Sequence, residues 1–494
     1  MGTDSTPGLG PAERADSRLK TGVRNLDAVL KGGLPGRNAY LVQGAPGTGK
    51  TTMALQFLRA GVAEGEKAVF VTLSQSEREL RLIADSHGWS MDGITVVELQ
   101  AERPVAEDQT VFYTADVRLD RTREAIIEAI EEHSPQRLVY DSLVEIRQLA
   151  RDENRFQREL LNLKHLLRER RVATLMIDVE GAVDDDAGLE IESMAHGILR
   201  LERDLPAYGS ARRRLDVSKM RGVDYFDGYH DIDIVEGEGV VAYPRVVPSL
   251  TPETTGGDLI ESGNVAIDEM LGGGMERGTT TLIMGQAGTG KSTMSSLYLY
   301  AALERGENCA MFLFEERPET FFRRSEGLGL HLRKYAENGM LRLYDFNPAE
   351  ISQGKFNEIA LRAVDENDTR VVVIDSFTGY VSGLPHAQQA IIQVQLLLQY
   401  LARRNVLTIL VVAQKGLLGH NMETDVDVSF LGDTVIFLRM YEWPAIIRRT
   451  ISVVKKRHGP HDLDIRQLKI TTKGIFVQEF VPPPPGRPSP VHDD

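Results

Sequence analysis

The chain has 494 residues, a formal net charge of −15 at pH 7 and a hydrophobic fraction of 42%. That length corresponds to about two to four domains of ordinary size, and the apolar content is enough to bury large cores. The acidic balance argues against a protein built to hold nucleic acid, whose phosphates demand a basic face, and the single cysteine, Cys309, excludes an internal disulfide or a cysteine metal cluster.

Residues 1–18 are polar and rich in Gly and Pro, and read as a disordered tail without the apolar core of a signal peptide. No run of about 18 apolar residues occurs, so no membrane span is expected, and a reducing cytosol is the expected compartment. Thr21 to Gly36 then leads into Ala39-Tyr40-Leu41-Val42-Gln43, a buried-strand pattern followed by Gly44-Ala45-Pro46-Gly47-Thr48-Gly49-Lys50-Thr51. Further apolar strands follow at Lys67–Leu73, at Leu138-Val139-Tyr140-Asp141-Ser142 and at Ala173–Ile177, and a late strand carries Lys219-Met220-Arg221-Gly222. Asp184-Asp185-Asp186 reads as a solvated loop. A stretch rich in Pro, Thr and Gly over residues 243–258 is the expected linker between domains at 19–242 and 259–481.

The second half repeats the first. Thr279–Ile283 precedes Gly285-Gln286-Ala287-Gly288-Thr289-Gly290-Lys291-Ser292, and Thr293 opens a helical pattern. Cys309–Phe314 matches Lys67–Leu73, Val371–Ser376 matches Leu138–Ser142, and Leu407–Val412 matches Ala173–Ile177. In each half 33 residues separate the strand-ending aspartate, Asp141 or Asp375, from the threonine of the next strand, Thr174 or Thr408. This is a duplication of an α/β module whose alternating strands and helices indicate a mainly parallel sheet flanked by helices. Residues 482–494 form a Pro-rich tail.

Strand, G-x-x-x-x-G-K-[ST], helix is the context of a P-loop. Gly44, Gly47 and Gly49, with Gly285, Gly288 and Gly290, let the backbone wrap phosphates with its N–H groups inward, and Thr48, Thr52, Thr289 and Thr293 flank the same cradles. The helix N-terminus adds a partial positive charge. Lys50 and Lys291 are placed to reach the β- and γ-phosphates, and the Thr51 and Ser292 hydroxyls to ligate Mg²⁺. Asp141 and Asp375 are the expected Walker B carboxylates, with an N-cap as their bland alternative.

Glu315-Glu316 lies 30 residues beyond Gly285 and is the candidate for orienting or deprotonating an attacking hydroxyl. Its alternative is a solvated acidic helix start. Thirty residues beyond Gly44 stands Ser74, followed by Gln75, neither of which is a carboxylate. The first domain is therefore expected to bind ATP and hydrolyse it poorly.

The duplicated P-loops, Glu315-Glu316, the Asp-Ser strand ends, Lys219-Met220-Arg221 and Lys455-Lys456-Arg457 together resemble the KaiC family of double-domain RecA-like ATPases and autokinases of the bacterial circadian clock. The resemblance spans roughly residues 18–480. It implies two tandem RecA-like P-loop NTPase domains, ATP and Mg²⁺ as cofactors, a homo-oligomeric ring that is a hexamer in the family, and a KaiB-like partner. It also implies that Lys455 and Arg457, with Lys219 and Arg221 in the first domain, reach the γ-phosphate of a neighbouring subunit. A strand edge blunted by charge is the alternative for those residues. The family's phosphorylated segment maps onto Glu423–Thr434, where Ser429 and Thr424 fit as acceptors and Phe430 replaces a threonine. Phenylalanine has no hydroxyl, so a two-site phosphorylation cycle cannot run in the same form. Two rival readings are a nucleotide-gated scaffold without autophosphorylation and a RecA-like DNA-dependent ATPase, the latter opposed by the acidic charge. A clock role does not follow from the fold.

Overall fold

The computed structural model describes residues 18–99, 115–150, 153–179, 192–207, 209–246, 257–384, 387–414, 428–443 and 446–481. The two tails, most of the expected linker, Asp184 to Asp186 and Thr424 lie outside them. The chain divides between Arg245 and Val246 into two compact units.

In the first unit a short pair, β1 (Arg18–Leu19) with β2 (Leu34–Pro35), precedes a nine-stranded sheet. Its strands are β3 (Ala39–Gly44), β4 (Ala68–Thr72), β5 (Ile94–Glu98), β6 (Arg137–Asp141), β7 (Ala173–Asp178), β8 (Gly197–Asp204), β9 (Arg212–Met220), β10 (His230–Val235) and β11 (Gly239–Tyr243). The order is β11-β10-β9-β8-β3-β7-β6-β4-β5; β8 to β5 run parallel and β9 to β11 continue antiparallel. Every residue of β3, β4, β6 and β7 is buried, as parallel strands covered on both faces require. Alternation divides them. Tyr40, Val42, Phe70, Val139 and Ile177 pack with the P-loop helix Lys50–Ala63. Leu41, Val71, Tyr140 and Met176 pack on the other face with Ile130, Ile146 and Phe156.

The second unit repeats the plan. After β12 (Leu259–Ile260) and β13 (Met275–Glu276) come β14 (Thr280–Gly285), β15 (Asn308–Leu313), β16 (Leu341–Asp345), β17 (Thr369–Asp375), β18 (Leu407–Ala413), β19 (Thr434–Trp443), β20 (Ile446–Lys456), β21 (Arg466–Thr471) and β22 (Gly474–Glu479). Their order, β16-β15-β17-β18-β14-β19-β20-β21-β22, is that of the first sheet. The pairing register shifts at equivalent places, between Ile198 and Leu199 against β9 and between Val435 and Ile436 against β20. Each unit is thus a RecA-like P-loop domain. Among the described residues no helix is long and apolar enough to cross a membrane.

Because the core strands are parallel, their carboxyl ends share one edge, where ligands of open α/β sheets bind. Gly44 and Gly285 sit there against neighbouring backbone. A Cβ on either would come within 2.3 Å of Leu201 O or 2.2 Å of Leu438 O, so only glycine fits.

Candidate functional site

In the second unit the P-loop turns from β14 into the helix Lys291–Glu304, with Gly290 at φ 105° as its N-cap. Lys291 is buried and its Nζ donates to Gln286 O at 2.8 Å; Thr289 Oγ1 donates to the same carbonyl at 2.8 Å. Burial lowers the Lys291 pKa, against the pull of Asp375 and Glu315. The first unit has the same fold-back, Lys50 Nζ reaching Gly44 O at 2.6 Å and Ala45 O at 2.9 Å, and Thr48 Oγ1 reaching Ala45 O at 2.9 Å.

Asp375 ends β17, buried beside this loop, and accepts a hydrogen bond from Ser292. Burial pushes its carboxyl up to about 6, and its Oδ2 has no hydrogen-bond partner among the described residues. Ser376 Oγ donates to Glu315 Oε1 at 2.7 Å and accepts from the Gly379 N–H at 2.9 Å. Glu316 accepts two bonds from Arg324, at 3.1 and 2.7 Å. Lys291, Ser292, Glu315, Glu316 and Asp375 line one cleft of 760 Å³, together with Gly288, Gly290 and Thr293.

Arg449 also lines this cleft, its Nε donating to Gly288 O at 3.0 Å. Its counterpart Arg213 donates to Gly47 O at 3.2 Å. Sequence reasoning passed over both, although each stands six residues before its Lys-x-Arg lysine, a repetition visible in the chain.

In the first unit Asp141 takes the place of Asp375. Burial, with Glu145 adding to it, pushes its carboxyl up to about 6, against Lys50 and a hydrogen bond from Ser74. Ser142 Oγ donates to Glu145 Oε2 at 2.5 Å. Gln75 is tied through its backbone to Thr72, and its side-chain Oε1 has no partner among the described residues. Thr51 and Thr52 open the P-loop helix, as Ser292 and Thr293 do in the second unit. Asp178, at the end of β7, meets Arg147 at 3.5 Å.

The Lys-x-Arg residues fall elsewhere. Lys456 pairs with Thr434, which lies beside Thr281 at the start of β14, whereas the P-loop leaves from Gly285 at its end. Four residues of strand put these ends about 13 Å apart. Lys455 Nζ donates to Gly432 O at 2.7 Å and Ser429 O at 3.2 Å, and Arg457 pairs with Asp433 at 3.0 Å. Ser429 itself is exposed, on a short turn Ser429–Leu431 at the same end. In the first unit Lys219 and Arg221 reach Ser193 O at 3.2 and 2.7 Å. Arg221, Lys164, Arg168 and His196 line a cavity of 290 Å³ there. Within each unit the P-loop thus meets its aspartate, and in the second unit Glu315-Glu316 joins them, while Lys219, Arg221, Lys455, Arg457 and Ser429 lie away from the P-loop of their own unit.

A family model described as "ATPase: KaiC" matches residues 19–247 and again 260–480. The circadian clock protein KaiC3 of Synechocystis sp. is 27% identical over 476 residues, covering 93% of this chain and 91% of that protein. The circadian clock oscillator protein KaiC of Thermostichus vulcanus is 27% identical over 95% of this chain and 91% of its own length. KaiC of Synechococcus elongatus is 26% identical over 96% and 92%. With both P-loop modules matched and nearly the full length shared, the chain belongs to the KaiC family of nucleotide-binding ATPases.

Proposed function

We propose that the C-terminal unit hydrolyses ATP and transfers its γ-phosphoryl group to Ser429 of a neighbouring subunit in a homo-oligomeric ring, a hexamer on the family's pattern. The observation that carries this reading is the single cleft shared by Lys291, Ser292, Asp375 and Glu315. Lys291 holds the β- and γ-phosphates, and a carboxylate of the Glu315-Glu316 pair takes the proton of the attacking water or hydroxyl. Ser292 and Asp375, whose buried Oδ2 lacks a partner among the described residues, fit a hard divalent cation. Mg²⁺ held there would neutralise charge between the β- and γ-phosphates.

The direction of the strands supports contact with a second copy of the chain. Ser429, Lys455 and Arg457 stand at the end opposite their own P-loop, so transfer to Ser429 and a Lys-x-Arg contact to a γ-phosphate both require a second copy. The cationic cavity around Arg221, Lys164 and His196 suits the same contact in the first unit. There ATP serves mainly as an assembly ligand bound by Lys50, Thr51 and the loop glycines. A phosphate on Ser429 adds a charge of about −1.5 to −2 at the subunit contact, where a KaiB-like partner could read it.

A second reading, a nucleotide-gated scaffold with ATPase but no autophosphorylation, is favoured by Phe430, 47% exposed where an acceptor hydroxyl would stand. Incubation with γ-labelled ATP and Mg²⁺, followed for both phosphate release and protein label, separates the two. Label lost in Ser429→Ala or Thr424→Ala supports the autokinase; release without label supports the scaffold.

A further inference from the structure

The two units carry the same Walker B serine in different company. In the second, Ser376 Oγ donates to Glu315, which arrives from the segment after β15. The helix Phe377–Ser382 beneath it has glycine at Gly379, and a Cβ there would lie 2.8 Å from Glu315 Oε1 and 2.9 Å from its Cγ. Glu315 therefore occupies the space above Gly379. In the first unit the position of Glu315 is held by Ser74, and the position of Gly379, four residues after the Walker B aspartate, is held by Glu145. Ser142 Oγ, the equivalent of Ser376, donates to the Glu145 carboxylate at 2.5 Å. A large acid over glycine in one copy is thus a small serine over a large acid in the other. The carboxylate meets the same hydroxyl from the opposite partner.

We propose that Glu145 is the catalytic carboxylate of the N-terminal unit, reaching from the helix Leu143–Ala150 to the place that Glu315 takes in the C-terminal unit. Water attacks the γ-phosphorus, the bond from that phosphorus to the β,γ-bridging oxygen breaks, and ADP leaves with the bonding pair. The Glu145 carboxylate takes the proton of the water and later releases it to solvent. Ser74 then hydrogen-bonds Asp141, a role that Ser292 has toward Asp375. Glu145 accepts from Ser142 and acts electrostatically on Asp141 and Tyr140, while Lys50 offsets its effect on Asp141.

Ser142-Leu143-Val144-Glu145 also has the spacing of a helix capping box, in which the acid would only steady the helix start. Turnover separates the two roles. The inference goes beyond the reading that hydrolysis sits mainly in the C-terminal unit, and the experiment is arranged so that either can fail alone. The full chain carrying Glu315→Gln and Glu316→Gln is assayed for ATP hydrolysis at saturating Mg²⁺ and ATP. A residual activity is expected. Adding Glu145→Gln lowers it about a hundredfold, a typical contribution of a positioned base, with ATP binding unchanged. Ser74→Glu combined with Glu145→Gly, which rebuilds the arrangement of the second unit, restores it.

No residual activity, or a residual activity that Glu145→Gln leaves in place while lowering only thermal stability, overturns the assignment. Turnover that survives Glu315→Gln and Glu316→Gln undiminished but falls with Glu145→Gln supports Glu145 and instead overturns the C-terminal assignment.

Discussion

Arg324 closes on Glu316 through two parallel bonds, Nε to Oε1 at 3.1 Å and Nη2 to Oε2 at 2.7 Å. Its third nitrogen reaches Ser296 Oγ at 3.4 Å, on the P-loop helix. A planar guanidinium matches a carboxylate in this way, and the pair fixes Glu316 while Glu315 accepts from the Ser376 hydroxyl. In the first unit Gln75 stands for Glu316 and Ile83 for Arg324, so acid and base are lost together. Arg324→Met leaves Glu316 unpaired beside the working carboxylate. Turnover should fall by about tenfold, or roughly 1.4 kcal/mol, with nucleotide affinity unchanged. Adding Glu316→Gln should recover most of it, because no unpaired charge remains. If Glu316→Gln by itself abolishes most turnover and the double variant shows no recovery, Glu316 is the base.

Gly379 offers a separate test, since it lies within a helix and close against Glu315. Gly379→Ala gains helix propensity of up to about 1 kcal/mol while pushing the Glu315 carboxylate from Ser376. The variant should melt at a higher temperature and turn over ATP more slowly. A faster or unchanged rate would show that the Ser376 bond to Glu315 does not matter.

Asp375 carries a carboxyl pushed up to about 6 by burial, from an ordinary 3.8. Between those values the folded chain holds a proton that the unfolded chain has released. The contribution is present below pH ~3.8 and lost as pH rises through about 6. Two units at about 1.36 kcal/mol each give roughly 3 kcal/mol. Nucleotide-free protein should therefore lose stability relative to Asp375→Asn between pH 4.5 and 7, by urea denaturation. Mg²⁺ and ATP, which favour the ionised carboxylate, should reverse the trend. A difference that does not vary with pH would count against the raised value.

Substitutions at Glu315-Glu316 and at Lys50 should separate turnover from assembly. Glu315→Gln with Glu316→Gln should remove most ATP hydrolysis while ATP binding and assembly persist. Lys50→Ala should instead reduce the particle mass seen by light scattering in ATP more than it reduces the rate per assembled site. If Lys50→Ala rings stay whole and lose most turnover, the first unit is the motor.

Sequence alone determined the duplicated module, the mainly parallel sheets and the P-loops, because each rests on contiguous residues. The loop's wrapping depends on glycines a few positions apart, the helix follows at once, and buried parallel strands announce themselves as apolar runs. Gly44 to Thr51 and Gly285 to Ser292 were legible for that reason. What joins distant segments was not. Ser74-Gln75 reads as the loss of a carboxylate, yet Glu145 meets Ser142, an acid entering from another element that no spacing rule after the P-loop would find. Arg324 against Glu316 depends on how the helix Pro318–Glu326 turns toward the cleft. Lys455 and Arg457 lie away from their own P-loop because β20 runs antiparallel to β19, which carries its end to the opposite edge of the sheet. Chain spacing sets local backbone geometry, whereas strand direction and helix packing decide which side chains share a cleft, and those follow only from burying both faces of the sheet at once.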